Sequence, residues 1–215
     1  MTPPANSVSL PNDIDKELTT IADRYTHRRS AILPMLHLVQ SYQGWVSPEG
    51  IEACARVLGI SPAEVSGVST FYTMYRRRPC GKHLIGVCTT SLCGMLGGDA
   101  VLQDLREYLS VDENGDSPDG MFTVEHIECQ AACSQAPVVT IDWEFFQYMT
   151  PWRMHELVAD LRDGKEVKPD RGSTVRGFRE VEKVLAGIEL TEPTQPAVDD
   201  AMLAGLMVAK GKAKS

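Results

Sequence analysis

The most informative stretch of the sequence reads Leu84-Ile85-Gly86-Val87-Cys88-Thr89-Thr90-Ser91-Leu92-Cys93, where a short apolar run ends in two cysteines. A second run, Val124-Glu125-His126-Ile127-Glu128, leads in the same way into Cys129 and Cys133. Short runs of apolar and β-branched residues are typical of strands. We therefore expect two adjacent strands to deliver four thiols to one edge of a sheet, on loops built of small residues.

The spacing within the two cysteine pairs indicates a metal centre. Four residues separate Cys88 from Cys93, and three separate Cys129 from Cys133. Ligation by four cysteines is the rule for 2Fe–2S clusters, whereas small zinc folds mostly space their ligands more closely. The pattern favours an iron–sulfur cluster held by these four cysteines, and it leaves a zinc site or a purely structural role open.

Three other residues are weaker candidates for ligands. His126 could supply a nitrogen, but we expect it to be an ordinary strand side chain. Cys54 lies in a predicted helix among alanines, which indicates a buried thiol that behaves as a small apolar group. Cys80 lies in a predicted linker, and we do not expect it to bind metal.

Composition and charge exclude several classes of protein. The 215 residues are 43% hydrophobic and 23% charged, as in ordinary globular domains, and the formal net charge is −8. The opening Met1-Thr2-Pro3-Pro4 lacks the basic and apolar regions of a secretory signal. The apolar run 201–209 is far shorter than a membrane-spanning helix. We expect a cytosolic chain without direct membrane insertion, in which six cysteines serve metal or redox chemistry rather than disulfides.

Hydrophobic periodicity divides the chain into four regions. Residues 1–12 are predicted to be a flexible N-terminus, and residues 13–78 to be a helical bundle with N-capping Ser47-Pro48 and Ser61-Pro62. Residues 79–165 follow the order β-α-β-β-β-α, which indicates a mixed sheet with helices on its faces. Residues 166–215 are predicted to be an irregular tail. The expected fold class is therefore α+β/α/β.

Nucleic-acid binding is a weak alternative. The segment 51–75 has the spacing of a helix-turn-helix and is followed by Arg76-Arg77-Arg78. However, the second helix offers no Arg, Asn or Gln to read base edges, and an acidic chain repels phosphate. We expect this segment to pack within the protein and the chain to bind no nucleic acid.

Two signatures carry a resemblance to a known family. The segments Val87-Cys88-Thr89-Thr90-Ser91-Leu92-Cys93 and Glu128-Cys129-Gln130-Ala131-Ala132-Cys133-Ser134-Gln135-Ala136-Pro137 resemble the cluster loops of the thioredoxin-like 2Fe–2S ferredoxin family. The helical part, with Gly44-Trp45-Val46 and Thr70-Phe71-Tyr72, is similar to its NuoE-type subgroup from respiratory complex I. The family often has Leu-Gly where this chain has Gln130-Ala131, a departure expected to spare the ligands but to alter loop packing and potential.

The resemblance implies a function, cofactors and partners. It implies a helical bundle followed by a thioredoxin-like ferredoxin domain, in an electron-transfer subunit of the NADH dehydrogenase module of NADH:quinone oxidoreductase. One 2Fe–2S cluster would lie on this chain, and FMN and NADH on an adjoining subunit. The chain would be peripheral, on the cytoplasmic side of the inner membrane, and would show no NADH turnover alone.

Two alternatives to this function stay open. One is the equivalent diaphorase subunit of an NAD-linked hydrogenase or formate dehydrogenase. The other is a zinc-stabilised interaction module with no redox role. The sequence contains neither a G-x-G-x-x-G nor a G-x-x-x-x-G-K-[ST] motif, so a nucleotide or flavin site on this chain has no support.

Overall fold

Short capped helices make up the N-terminal part of the chain in the computed structural model, which describes residues 9–172, 174–188 and 200–211. The four α-helices of this part are α1 (Ile14–Ala22), α2 (Ile32–Gln43), α3 (Pro48–Leu58) and α4 (Pro62–Phe71). Their existence confirms the predicted bundle. Of the predicted flexible N-terminus, residues 1–8 lie outside the described ranges.

The helix ends follow the predicted capping chemistry. The Ser47 hydroxyl accepts a hydrogen bond from the Gly50 N–H at 3.0 Å, with proline at the first helical position. Ser61 and Glu64 form a reciprocal capping box at the start of α4. Helix α4 ends at Phe71, because the backbone becomes extended at Tyr72.

The predicted irregular tail is wrong for part of its length. Helix α8 (Phe178–Leu185) forms within the range 166–215 and packs against α2, and a further helix, α9 (Asp200–Ala209), follows. Phe178 and Glu182 are fully buried and lie on one face of α8. A helix of eight residues repeats the helical hydrophobic pattern only about twice. The sequence pattern alone was therefore too short to predict α8.

A four-stranded mixed sheet carries the cysteine loops. Its strands are β1 (His83–Cys88), β2 (Phe122–Ile127), β3 (Val139–Ile141) and β4 (Glu144–Phe146), in the order β2-β1-β3-β4. Strand β3 is antiparallel to both β1 and β4. Strands β3 and β4 form a hairpin in which Val139 pairs with Phe146 and Ile141 with Glu144. The strand order places the ends of β1 and β2 next to each other.

Three helices accompany this sheet. They are α5 (Leu92–Met95), α6 (Gly98–Tyr108) and α7 (Pro151–Arg162), and α6 packs against α7. Apolar side chains of α6 and α7, including Val101, Leu105, Met154 and Val158, are fully buried. The observed order β-α-β-β-β-α matches the prediction, apart from the additional short helix α5.

The described chain forms two compact units. The first comprises residues 9–84, 116–123 and 176–188, and the second comprises 85–115, 124–172, 174–175 and 200–211. The predicted domain boundary at residue 78 stays a prediction. Within the described ranges, no helix is both long enough and apolar enough to cross a membrane.

Candidate metal centre

The first cysteine pair lies where β1 turns into α5. Cys88 is the last residue of β1, and its N–H donates to the Val138 carbonyl at 3.1 Å. Cys93 lies in α5, and its N–H donates to the Thr90 carbonyl at 3.0 Å. Ser91 adopts a positive φ of 36° in the turn between them. Both cysteines are buried, so this pair forms the inner side of the site.

The second pair lies on the loop that follows β2. The Sγ atoms of Cys129 and Cys133 are 3.6 Å apart, and both residues are exposed. Cys133 begins a short 3-10 turn, Cys133–Gln135, and Ala131 between the two cysteines has a φ of 56°. A tetrahedral metal with metal–sulfur bonds of about 2.3 Å holds two sulfurs about 3.8 Å apart. The second pair therefore has the spacing of two ligands on one metal ion.

Close packing of α6 against the first loop requires a small residue. A Cβ atom on Gly98, the first residue of α6, would lie 2.5 Å from the Cys88 carbonyl oxygen and 2.9 Å from that of Cys93. Real Cβ contacts are essentially never that short, so only glycine allows the helix to start here. The small residue at position 98 thus lets the backbone of α6 lie directly against the backbone of the first cysteine loop.

Backbone and hydroxyl groups of both loops supply hydrogen-bond donors to the thiols. The Cys88 sulfur receives the Thr90 N–H and the N–H of Gln130 from the opposite loop, and it lies 3.2 Å from the Thr90 hydroxyl oxygen. The Cys93 sulfur receives the Val138 N–H. The Ala131 N–H donates to the Cys129 sulfur at 3.4 Å. Such donors stabilise clustered thiolate charge.

The four thiols influence one another electrostatically. Burial raises the pKa of Cys88, but hydrogen bonds from Thr90, Cys93 and Gln130 outweigh it, and the net pKa is lowered. Burial, with the charges of Cys88 and Cys133, raises the pKa of Cys93 to about 11. The hydrogen bond and charge of Cys129 raise the pKa of Cys133. Four thiolates can be held together here only if positive charge lies between them.

The structure brings together the four predicted cysteines and separates the others. Cys54 is fully buried in the helical unit, where burial raises its pKa to about 12. Cys80 is half-buried and belongs to the same unit, and His126 is exposed on β2. No three His, Cys, Asp or Glu side chains of the described residues converge as ligands of a single metal ion.

Sequence reasoning missed the residues that act through their backbone. Gln130 and Val138 donate N–H groups to sulfur, yet nothing in their side chains indicates this role. The left-handed backbone at Ala131 was also unforeseen. One signal was present, because the resembling family often has glycine at that position, and glycine adopts positive φ without strain.

Comparison with known proteins identifies the family. The sequence profile of the thioredoxin-like [2Fe-2S] ferredoxins matches residues 18–162. The chain belongs to this family. The ferredoxin match covers the helices α2–α4, the sheet and both cysteine loops, and so extends beyond the sheet domain alone.

Relatives of this ferredoxin chain carry more specific names. It is 46% identical over 208 residues to the E subunit of NADH-quinone oxidoreductase from Mycobacterium tuberculosis, covering 94% of this chain and 82% of the relative. It is 39% identical over 142 residues to NADH-quinone oxidoreductase subunit 2 from Thermus thermophilus, covering 66% of this chain and 78% of the relative.

A solved structure shares the fold. The NAD+-reducing [NiFe]-hydrogenase in its air-oxidized state superimposes with a TM-score of 0.55 at 16% identity. The superposition covers 62% of this chain and 23% of the hydrogenase chain. At this identity the likeness supports the fold of the ferredoxin chain and nothing about its activity.

Proposed function

We propose that this chain is an electron-transfer subunit of the NADH dehydrogenase module of NADH:quinone oxidoreductase, and that it holds one 2Fe–2S cluster. Cys88, Cys93, Cys129 and Cys133 are its proposed ligands. The observation that carries the proposal is the meeting of two cysteine pairs from two loops, joined by the Gln130 N–H donated to the Cys88 sulfur. The similarity to the mycobacterial E subunit over 94% of the chain supports the same function.

The donor set fits a binuclear cluster. Each iron of a four-cysteine 2Fe–2S cluster takes two thiolates, and each loop here supplies two. The 3.6 Å separation of the Cys129 and Cys133 sulfurs suits two ligands of one iron. The side chains of Cys88 and Cys93 also interact through a hydrogen bond. Bridging sulfides and ferric ions would supply the chemistry of a one-electron carrier.

Residues of the chain determine how exposed the proposed cluster would be and which charges and donors surround it. Cys88 and Cys93 are buried, whereas Cys129 and Cys133 are exposed, so a cluster held by all four would lie close to the surface on the side of the second loop. The apolar side chains of Leu92, Met95 and Leu96, which are close to Cys93 in the sequence, are exposed. Exposure on the side of the second loop allows an electron to pass to a docked partner, and the N–H groups donated to the sulfurs stabilise negative charge.

The proposed partner carries the flavin. NADH releases two electrons together as a hydride, whereas a 2Fe–2S cluster carries one, so a flavin must divide the pair. The ferredoxin chain has no nucleotide-binding motif, which supports FMN and NADH on an adjoining subunit. The chain is a subunit of a multi-subunit oxidoreductase, and its proposed place is peripheral, on the cytoplasmic side of the inner membrane.

The two alternatives make different predictions. A diaphorase subunit of an NAD-linked hydrogenase would have the same cluster in another host complex, and the shared fold with the hydrogenase does not favour it over a subunit of the quinone-reducing complex. A zinc-stabilised module would have the same cysteines without a redox role. The metal content decides between cluster and zinc, and the co-purifying partner decides the host.

One experiment tests the proposed function. The full chain is purified without oxygen from its natural host, and its iron, acid-labile sulfide, zinc, visible spectrum and EPR spectrum are measured. We expect two irons and two sulfides per chain, an EPR signal on reduction, and co-purification of an FMN-binding subunit. Stoichiometric zinc without visible absorbance would contradict the cluster. A hydrogenase or formate dehydrogenase as the partner would instead assign the alternative host.

A further inference from the structure

The short turn Cys133–Gln135, which carries one of the exposed cysteines, is contacted by the segment that joins β4 to α7. The Tyr148 N–H donates to the Gln135 carbonyl at 2.9 Å. The Tyr148 hydroxyl oxygen lies 3.5 Å from the Ser134 carbonyl oxygen. Both residues that follow Cys133 are therefore in contact with Tyr148.

Tyr148 has an unfavourable backbone conformation. Its φ is 51°, in the left-handed region that bulky residues adopt at a cost. Its side chain is 61% exposed, so burial of the ring offsets little of that cost. A strained conformation of this kind persists where the surrounding contacts fix the backbone on both sides. On the C-terminal side, the Met149 N–H donates to the Pro137 carbonyl at 3.0 Å.

Two charged side chains fix the residue on the N-terminal side of Tyr148. The Gln147 N–H donates to the Asp170 carboxylate at 2.8 Å, and the Arg153 guanidinium donates to the Gln147 carbonyl. The same Asp170 Oδ2 lies 2.8 Å from Nη2 of Arg153. Both backbone groups of Gln147 are thus bonded to the two members of one ion pair, Arg153 and Asp170, which we call the brace.

Asp170 belongs to a short segment that pairs with the edge of the sheet. The N–H groups of Asp170 and Arg171 donate to the Phe145 carbonyl at 3.0 and 3.2 Å, and the Phe145 N–H donates to the Arg171 carbonyl at 3.1 Å. Phe145 lies in β4, the last strand in the sheet order. Position 170 lies beyond residues 18–162, which match the family profile. One half of the brace therefore comes from outside the matched part of the chain.

We propose that Arg153 and Asp170 are positioning residues for the ligand Cys133. They act through the backbone of Gln147 and Tyr148. An exposed ion pair contributes little to stability by itself. Here its charged groups bond to the backbone, and such charge-assisted hydrogen bonds are stronger than neutral ones. The brace holds this ligand in place and so slows the loss of the cluster. This proposal rests on the proposed function, since it needs a cluster on these ligands.

Two substitutions of Asp170 form the central test. Asp170→Ala removes the acceptor of the Gln147 N–H and the partner of Arg153, whereas Asp170→Asn keeps an oxygen that accepts from both. Each full-length holo-protein is mixed with an excess of EDTA, and the loss of its visible absorbance is followed. We expect cluster release about tenfold faster than wild type in Asp170→Ala, and within about twofold of wild type in Asp170→Asn.

Two controls on α7 separate positioning from a general loss of stability. Asp160→Ala breaks the exposed ion pair with Lys165, whose N–O distance is 2.7 Å, and Val158→Ala truncates a fully buried side chain. We expect both to release the cluster within about twofold of the wild-type rate and to keep the wild-type EPR line of the reduced cluster. Asp170→Ala should broaden that line, because Cys133 then takes several positions. A purely structural role would accelerate release in Val158→Ala as well.

A second variant remains decisive if Asp170→Ala does not fold or loads no cluster. Arg153→Lys keeps a charge opposite Asp170, but lysine lacks the planar fork that also bonds the Gln147 carbonyl. We expect release about threefold faster than wild type, because half of the brace remains. An unchanged release rate together with an unchanged EPR line in Arg153→Lys would contradict the brace.

The outcomes separate this inference from the proposed function. A wild-type chain that purifies with zinc, or with no cluster at all, would refute the proposed function. A wild-type chain with its cluster, together with an Asp170→Ala variant that releases it at the wild-type rate, would overturn the brace alone. So would equal acceleration in Asp170→Ala and Val158→Ala.

Discussion

The imidazole Nδ1 of His37 lies 2.6 Å from the carboxylate Oε2 of Glu182, although the two residues are 145 positions apart in the sequence. His37 lies in α2 and Glu182 in α8, and both are buried. The Arg179 guanidinium adds hydrogen bonds to the carbonyls of Ser41 and Tyr42 at the end of α2. These polar contacts orient α8 on the helical unit, and Ala186, which directly follows α8, packs in the apolar core of that unit.

Loss of the Glu182 carboxylate should destabilise the helical unit. Replacement by alanine leaves the His37 imidazole buried without its partner, and breaking one side of a buried pair costs about 3–5 kcal/mol. We expect Glu182→Ala to lower the free energy of unfolding in urea by about 3 kcal/mol. The exposed Glu180 on the same helix provides the control, because Glu180→Ala removes no buried contact. Equal effects of the two variants would contradict the role of the pair.

Serine substitutions should distinguish ligands from structural cysteines. Serine at Cys88, Cys93, Cys129 or Cys133 replaces a soft thiolate by a hard, mostly protonated hydroxyl, so the cluster should be lost or altered in its visible and EPR spectra. Serine at Cys54 should instead cost about 1–3 kcal/mol of stability, because it buries a hydroxyl in an apolar core, and should leave the spectra intact. Serine at Cys80 should leave the spectra unchanged. A Cys54 variant without a cluster would contradict this assignment.

The reduction potential should be low. Plant-type centres with four cysteine ligands have reduction potentials of about −400 mV, far below those of centres with two histidine ligands. Glu125 and Glu128 lie close in sequence to the second cysteine loop, and their negative charge opposes reduction. We expect a midpoint well below 0 mV in an EPR-monitored redox titration. A midpoint above about 0 mV would instead indicate histidine ligation, with His126 as the candidate.

Glycine at position 131 should stabilise the protein. Ala131 has a φ of 56°, and a non-glycine residue in the left-handed region costs about 1–2 kcal/mol. Glycine removes that cost but increases the entropy of the unfolded chain, so we expect Ala131→Gly to gain about 0.5–1 kcal/mol in chemical unfolding. The neighbouring Ala132 has a φ of −104° and is buried. Ala132→Gly should therefore destabilise, and a gain there would show that the effect is not specific to the left-handed position.

Alkaline pH should weaken the helical unit through Cys54. Burial raises the pKa of this thiol from 9.0 to about 12, so between pH 9 and 12 the folded chain keeps a proton that the unfolded chain has lost. The stabilisation from the protonated thiol is complete below pH 9 and is lost as the pH rises to 12. In this range the free energy of unfolding should fall by about 1.4 kcal/mol per pH unit. Cys54→Ala should lack this contribution to the pH dependence of the free energy of unfolding. If the free energies of unfolding of both proteins fall equally with pH, the prediction is contradicted.

Local patterns were sufficient to propose the ligands and to predict most elements of the fold. Cys88 and Cys129 follow strands whose apolar residues are recognisable within six positions, and the capping residues Ser47 and Ser61 begin helices where predicted. Each of these features depends on neighbours in the chain. The sequence alone therefore determined the helical bundle, the order of strands and helices along the sheet domain, and the proposal of four thiolate ligands.

Contacts between distant segments were decided only by the tertiary structure. Part of the tail that was predicted to be irregular forms α8, and Glu182 of this helix pairs with His37. No local pattern around Glu182 identifies His37 as its partner. The donation of the Gln130 N–H to Cys88 likewise depends on how two loops meet at the ends of β1 and β2. Backbone groups are the same in every residue, so which sulfur they reach depends on three-dimensional packing and not on the side chains that the sequence displays.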